Sequence, residues 1–194
     1  MRNDAIIQSI QCLLYRYQTE NAKPSHNKED LSSLHYLIGQ CIRQYDIPSG
    51  NRHISKGAHD RWEEISNEKI ENYHYRDIVI CDKLTVNTEY ELFKGANGNG
   101  DKTLFTRNYP FIFRDMFHED HVIPVALIWE KLEKLDDLSY ENIKEILNMM
   151  HICVILKEED RRIGRTASRN LVFDDVINNV YKTHGVELHN PSKT

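Results

Sequence analysis

The amino-acid sequence predicts an α+β fold, in which an N-terminal helical subdomain precedes a small antiparallel sheet and further helices. Apolar residues recur at helical spacing through the first third of the chain, as in packed amphipathic helices. Short β-like runs begin only near residue 78. We therefore expect a helical subdomain at residues 1–75 and a second domain at residues 76–194.

Three stretches of the N-terminal third predict helices. Pro48 and Gly50 follow the second stretch and predict its end, because proline and glycine interrupt helices. Such helices would pack their apolar stripes together, and their outer faces could supply the contacts of a homodimer. The apolar stripes consist of Ile6, Ile10, Leu13 and Tyr17, then Leu31, Leu34, Ile38, Cys41 and Tyr45, and then Trp62 and Ile65 in a weaker helix from about Ala58 to Ile70.

The middle of the chain predicts three short strands, at Ile78–Cys81, Tyr90–Phe93 and Thr103–Thr106. The glycine-rich segment 95–101 is typical of a hairpin connection. It lacks the Gly-Lys-Ser/Thr ending of a phosphate-binding loop, so a plain turn is favoured. The run that includes Glu89, Glu91 and Lys94 resembles the acid–lysine signature of the common restriction-enzyme fold. Its spacing, however, does not put the acid and the lysine on one face of a strand.

The C-terminal half alternates strands and helices. A short strand leads into the run that starts at Phe117, and a helix is expected from Pro124 to Leu135, since proline suits the first turn. Ser139 is a predicted cap for the next helix. Apolar residues 152–156 indicate a buried strand, Lys157 opens a helix, and a last helix with Val172, Val176, Ile177 and Val180 inward ends near Gly185.

Composition restricts the class of protein. Charged residues of both signs make up 28% of the chain, and the net charge of −5 is unlike that of a non-specific nucleic-acid coat protein. The four cysteines form no CxxC pair, so zinc held by paired cysteines is not indicated and reduced thiols in a cytoplasm are expected. The sequence shows neither a secretory signal nor an apolar stretch long enough for a bilayer, so no membrane partner is expected.

One run carries a pattern typical of chemistry. Asp120 and His121 are followed by two aliphatic residues and Pro124. This pattern resembles the first motif of the HNH (ββα-metal) endonucleases, and the resemblance extends over about residues 111–164. It implies that His121 is the general base that takes a proton from water and that Asp120 is a ligand of a divalent metal.

The resemblance also implies two further parts downstream of this run. Asn148 would orient the base, and Asp160 or Glu159 would be the second metal ligand, in the order in which the family has them. An acid stands where the family often has a histidine or asparagine, which still suits a hard cation. A second alignment, with Asn142 as the middle residue and His151 as the last one, stays open.

The resemblance therefore implies a Mg²⁺- or Mn²⁺-dependent endonuclease acting on double-stranded DNA, of a restriction or phage-defence type. Lys157, Arg161 and Arg162 would contact the phosphate backbone beside the scissile bond. Two alternatives remain: a non-catalytic DNA-binding or protein-interaction module with a degenerate HNH motif, and a toxin-like RNase. A purely structural alternative is that the Asp-His pair caps a helix and the acids near residue 159 satisfy its dipole. No HExxH motif is present, so a zinc peptidase is not indicated.

Overall fold

A computed structural model describes six stretches of the chain: residues 2–65, 69–70, 90–93, 102–105, 116–164 and 168–189. Within them the fold is mixed α+β, with seven α-helices and a small three-stranded sheet. The predicted strand Ile78–Cys81, the glycine-rich segment 95–101 and the predicted boundary near residue 75 lie outside these stretches. Glu89 and Lys94, from the run that resembles the restriction-enzyme signature, also lie outside them.

The described elements follow the predicted order, apart from one additional short strand between the second and third helices. The helices and strands are α1 (Arg2–Asn21), α2 (Lys28–Gln44), β1 (Arg52–Ile54), α3 (Lys56–Ile65), β2 (Tyr90–Phe93), β3 (Lys102–Phe105), β4 (Phe117–His121), α4 (Val125–Glu133), α5 (Tyr140–Leu147), β5 (Ile152–Leu156), α6 (Lys157–Ile163) and α7 (Phe173–Val176). A π turn and a 3-10 turn then lead to Gly185, which adopts φ 70°. Strands β2 and β3 form the expected antiparallel pair, with Tyr90 opposite Phe105.

The chain divides into two compact units, each assembled from three segments. The first unit comprises Met1–Arg52, His121–Ile152 and Ser168–Val180. The second comprises His53–Asp120, Cys153–Ala167 and Tyr181–Thr194. Among the described residues, no helix combines the length and the apolar character that crossing a bilayer requires.

The first unit is a helical assembly in which α1 packs against α2 and α5. Two of the predicted stripes contribute to its core through Ile10, Leu34 and Ile38. In α1 the buried residues are Ile7, Ile10 and Leu14, and the predicted Ile6, Leu13 and Tyr17 are only partly buried. The cap prediction for α5 is confirmed, because the Ser139 side chain accepts a hydrogen bond from the backbone N–H of Asn142. The apolar spacing and the cap residue in the local sequence therefore account for these helices.

The second unit contains most of the three-stranded sheet, in which β5 lies between β1 and β4. Strands β4 and β5 are antiparallel, as shown by the bonds from Lys157 N to Met116 O (3.0 Å) and from Val122 N to His151 O (2.9 Å). The sheet as a whole is mixed, so the prediction of a purely antiparallel sheet is wrong. The reason is β1, a three-residue strand that adds to the other edge of β5 and carries no alternating pattern of its own.

Candidate metal centre

The end of β4 and the first turn of α6 bring three side chains together in the second unit. His118, Asp120 and Asp160 each offer one ligand atom, and these atoms lie within 4.8 Å of one another. His118 and Asp120 share a face of β4 because residues two apart in a strand point the same way. Asp160 joins them because α6 starts beside β4, where Lys157 N donates to Met116 O.

The three side chains differ in burial. Asp120 is only 8% exposed, and its Oδ2 accepts a hydrogen bond from the hydroxyl of the fully buried Tyr181. The side chains of His118 and Asp160 are 43% and 45% exposed, with 3.9 Å between His118 Nε2 and Asp160 Oδ1. The cluster thus has one fixed carboxylate and two groups that can rotate at the surface.

A buried thiol adjoins the fixed carboxylate. The register of β4 and β5 places Asp120 directly opposite Cys153, which has no exposed surface. Burial, and then the negative charges of Asp120 and Glu159, raise the pKa of the Cys153 thiol well above its usual range. The raised pKa keeps the Cys153 thiol protonated at neutral pH.

The donor set fits a divalent cation. Two ligands of an octahedral ion at about 2.1 Å lie about 3.0 Å apart at right angles and about 4.2 Å apart when opposite. The 3.9 Å between His118 Nε2 and Asp160 Oδ1 falls in that range, and small rotations of these exposed side chains can close the longest separation of the group. Carboxylates suit Mg²⁺ and Mn²⁺, while an imidazole favours the later transition metals.

Glu159, the alternative to Asp160 as second ligand, lies elsewhere. Its Oε2 accepts hydrogen bonds from Ser55 Oγ (2.5 Å) and from the backbone N–H of Leu156 (2.8 Å). Its side chain is 5% exposed, and Arg162 Nη2 lies 3.9 Å from its Oε1. Glu159 thus anchors the start of α6, and the structure brings Asp160 rather than Glu159 to the cluster.

The predicted phosphate-contacting residues are on the same helix. Lys157 is three residues before Asp160, so these two side chains are neighbours on α6. Arg161 directly follows Asp160 and is rotated from it by about 100° around the helix axis. Arg161 is 73% exposed, and its Nη1 lies 3.8 Å from Glu158 Oε1. Exposed ion pairs of this kind are weak and leave the guanidinium accessible to another anion.

The other predicted site residues belong to the first unit. His121 accepts a hydrogen bond at its backbone carbonyl from Arg169 Nη1 (2.6 Å), and Asn148 ends α5, with its side-chain oxygen accepting from Tyr45 Oη (2.8 Å). The alternative pair is also engaged, in hydrogen bonds from the Asn142 amide to Asp137 and in a ring stack of His151 on Phe173 at 4.3 Å.

The HNH resemblance does not include His118 among the site residues. The alternation of side chains along β4 is the signal that could have found it, since Asp120 and the residue two positions before it share a face. Comparisons with protein-family models, curated proteins and solved structures found no match. The chemistry of the cluster and the order of the elements around it are therefore the basis for a functional assignment.

Proposed function

We propose that this protein is a divalent-metal-dependent endonuclease of the HNH (ββα-metal) type that hydrolyses double-stranded DNA. The convergence of His118, Asp120 and Asp160 carries the proposal. An antiparallel strand pair followed at once by a helix, with one acid from the first strand and one from the helix, supports it. Asp120 is the acid that the resemblance to the family implies as a ligand, and Asp160 is one of the two acids, with Glu159, that it leaves open.

In this proposal Asp120 and Asp160 are the carboxylate ligands and His118 is a third ligand. A bound cation would supply the positive charge that stabilises the phosphate and the leaving oxygen. Asp120 supplies a fixed oxygen because it is buried and hydrogen-bonded to Tyr181. Asp160 and His118 supply adjustable donors at the surface, where a long DNA substrate can reach them.

His121 is the proposed general base, and its assignment follows from its position next to Asp120 in the chain. A neutral imidazole accepts a proton from water near physiological pH, which a carboxylate of ordinary pKa does poorly. Successive side chains of a regular strand point to opposite faces. His121 is still the last residue of β4, so the proposed role requires the backbone to change geometry at this strand end, next to the bends at Val122 and Ile123. Asn148 is retained as the proposed orienting residue.

Lys157, Arg161 and Arg162 are the proposed contacts to the DNA backbone. Because the chain carries a net charge of −5, binding to a polyanion requires cations concentrated near the scissile phosphate. These three residues lie within seven consecutive positions of the helix that carries Asp160. A restriction or phage-defence role in the cytoplasm is proposed by analogy with the family.

The test compares two carboxylates of one helical turn in a plasmid-cleavage assay with Mn²⁺, Mg²⁺ or EDTA. Asp160→Asn should abolish metal-dependent cleavage, because it removes a proposed ligand. Glu158→Gln is the matched control, since it removes the same charge from an exposed side chain two positions away and should retain cleavage. His121→Ala should also abolish cleavage while the circular dichroism spectrum stays unchanged.

Full activity in Asp160→Asn or His121→Ala would contradict the assignment. A wild-type chain that binds Mn²⁺ but cleaves neither DNA nor RNA would instead favour the non-catalytic module. Cleavage of RNA alone would favour the RNase.

A further inference from the structure

We propose that Tyr181 is a positioning residue of the metal centre, which fixes the Asp120 carboxylate for its role as a ligand. The inference rests on the metal site of the proposed function. It adds to that site a residue from a chain segment that the HNH resemblance, which ends near residue 164, does not include. The C-terminal segment 181–189 would then be part of the metal centre and not an appendage.

The hydrogen bond between Tyr181 and Asp120 is the first observation. The phenol ring has no exposed surface, and its hydroxyl donates to Asp120 Oδ2. A carboxylate that is 8% exposed has lost most of its hydration and requires such a donor. Residues that hydrogen-bond to metal ligands, without touching the metal themselves, orient those ligands and raise their affinity for the ion.

The anchoring of Tyr181 is the second observation. Gly185 adopts φ 70°, which favours glycine, and the chain turns back there so that Val186 N donates to Tyr181 O (2.9 Å). The following residues are bonded to the start of α3, from Lys56 N to Glu187 O (2.8 Å), and to the end of β1, from His189 N to Ile54 O (2.7 Å). Tyr181 is therefore the first residue of a short segment that is hydrogen-bonded to itself and to β1 and α3.

The same segment supports the second acidic ligand. The 3-10 turn Lys182–His184 packs against α6, the helix that carries Asp160. Leu188 forms a β-bridge with Ser55, and the Ser55 hydroxyl donates to Glu159, the neighbour of Asp160. Segment 181–189 thus contacts Asp120 directly and holds α6 through Ser55. Both carboxylate ligands are positioned by one stretch of chain.

The test is the Mn²⁺ affinity of Tyr181→Phe in the full chain, measured from the electron paramagnetic resonance signal of free Mn²⁺. This variant keeps the buried ring and removes only the hydroxyl. We expect Mn²⁺ to bind about 10- to 100-fold more weakly, as is typical when a residue that hydrogen-bonds to a metal ligand is removed. In an Asp120→Asn background the same substitution should change the residual affinity much less, because the two residues act through one hydrogen bond.

Tyr140→Phe is the matched control. Its hydroxyl also donates to a carboxylate, that of Asp4 in the first unit, and this bond raises the pKa of Tyr140 to about 12. Tyr140→Phe therefore removes a bond of the same kind and should leave Mn²⁺ affinity unchanged. A loss of affinity in both variants would indicate a general effect of removing a phenol hydroxyl and would overturn the inference.

The inference and the proposed function can fail separately. Wild-type affinity in Tyr181→Phe, even with a lower free energy of unfolding, would overturn the inference and leave the nuclease assignment intact. A wild-type chain that binds Mn²⁺ but cleaves neither DNA nor RNA would overturn the nuclease assignment alone. A wild-type chain that binds no Mn²⁺ would overturn both.

A second measurement detects the metal in the wild-type chain and needs the variant only to assign one signal. In wild-type chain labelled with 3-fluorotyrosine, bound Mn²⁺ at substoichiometric concentration should broaden the fluorine signal that is missing from the spectrum of Tyr181→Phe, and an unchanged Tyr181 signal would contradict the inference.

Discussion

Gly57 gives the sharpest stability prediction of the fold, because a methyl group there would meet the buried carboxylate of Glu159. An added Cβ would lie 2.6 Å from Glu159 Oε1, 3.2 Å from its Cδ and 3.3 Å from Leu156 Cδ1. Glu159 cannot withdraw without cost, since its other oxygen accepts from Ser55 Oγ and from Leu156 N. Gly57→Ala must therefore displace a hydrogen-bonded buried charge.

The expected magnitude follows from two opposing terms. Loss of a hydrogen bond to a charged group costs about 1.5–3 kcal/mol. Replacing glycine by alanine inside a helix raises the free energy of unfolding by about 0.5–1 kcal/mol. We therefore expect Gly57→Ala to lower the free energy of unfolding by roughly 0.5–2.5 kcal/mol.

Gly39→Ala is the matched control, because Gly39 is also a helical glycine. The nearest atom to its added Cβ is Arg43 Nη1 at 3.3 Å, the far end of a flexible side chain that can move aside. In this variant the free energy of unfolding should rise by up to about 1 kcal/mol.

The assay is urea unfolding followed by circular dichroism, with the midpoint and the m-value fitted for both variants and the wild type. The two substitutions should shift the midpoint in opposite directions at unchanged m. Because α6 must move to accommodate the methyl group, Gly57→Ala should also weaken Mn²⁺ binding, which Gly39→Ala should not. A Gly57→Ala chain as stable as the wild type would refute the reasoning, since it would mean that Glu159 is not fixed.

Three further predictions concern metal choice, pH and salt. His118→Asn should weaken Mn²⁺- or Ni²⁺-supported cleavage more than Mg²⁺-supported cleavage, because imidazole favours the later metals; equal losses would remove His118 from the ligand set. Burial lowers the pKa of His151 below its ordinary value of 6.5, while Asp174 opposes the shift. The unfolded chain therefore binds this proton first, so stability present above about pH 6.5 is lost as the pH falls through the folded pKa. His151→Gln should show a smaller loss of unfolding free energy than the wild type between about pH 7.5 and about pH 5.5, and an equal loss would contradict the stated environment. Arg161→Ala should reduce the slope of log affinity for DNA against log salt by about one, measured by fluorescence anisotropy; an unchanged slope would exclude a phosphate contact.

The elements that the sequence predicted are those whose signals are local. The apolar stripes of α1 and α2, the Ser139 cap and the apolar run of β5 each lie within a few residues of the element they specify. Strand β1 has no such signal, because Arg52-His53-Ile54 is short and only partly buried. Its place in the sheet depends on β5, which lies about a hundred positions away, and local periodicity contains no information on that pairing.

The candidate site divides in the same way. Asp120 and Asp160 were predicted because their order along the chain resembles a known motif, and His118 was within reach of the period-two rule for strands. The support of these residues was not predictable from local pattern. The hydrogen bond from Tyr181 to Asp120 spans 61 positions, and that from Ser55 to Glu159 spans 104. Each depends on the assembled fold.

The choice between Glu159 and Asp160 shows how a distant segment decides a local ambiguity. Acids near the start of a helix are all favoured by its dipole, so Glu158, Glu159 and Asp160 have the same sequence signature. Successive helical residues are rotated by about 100°, so that only one of the three can point into the sheet. The segment 55–57 selects Glu159, because the Ser55 hydroxyl binds its carboxylate and the missing side chain of Gly57 leaves space for it. Once Glu159 is fixed inward, Asp160 necessarily points to the flank of α6 that faces His118 and Asp120.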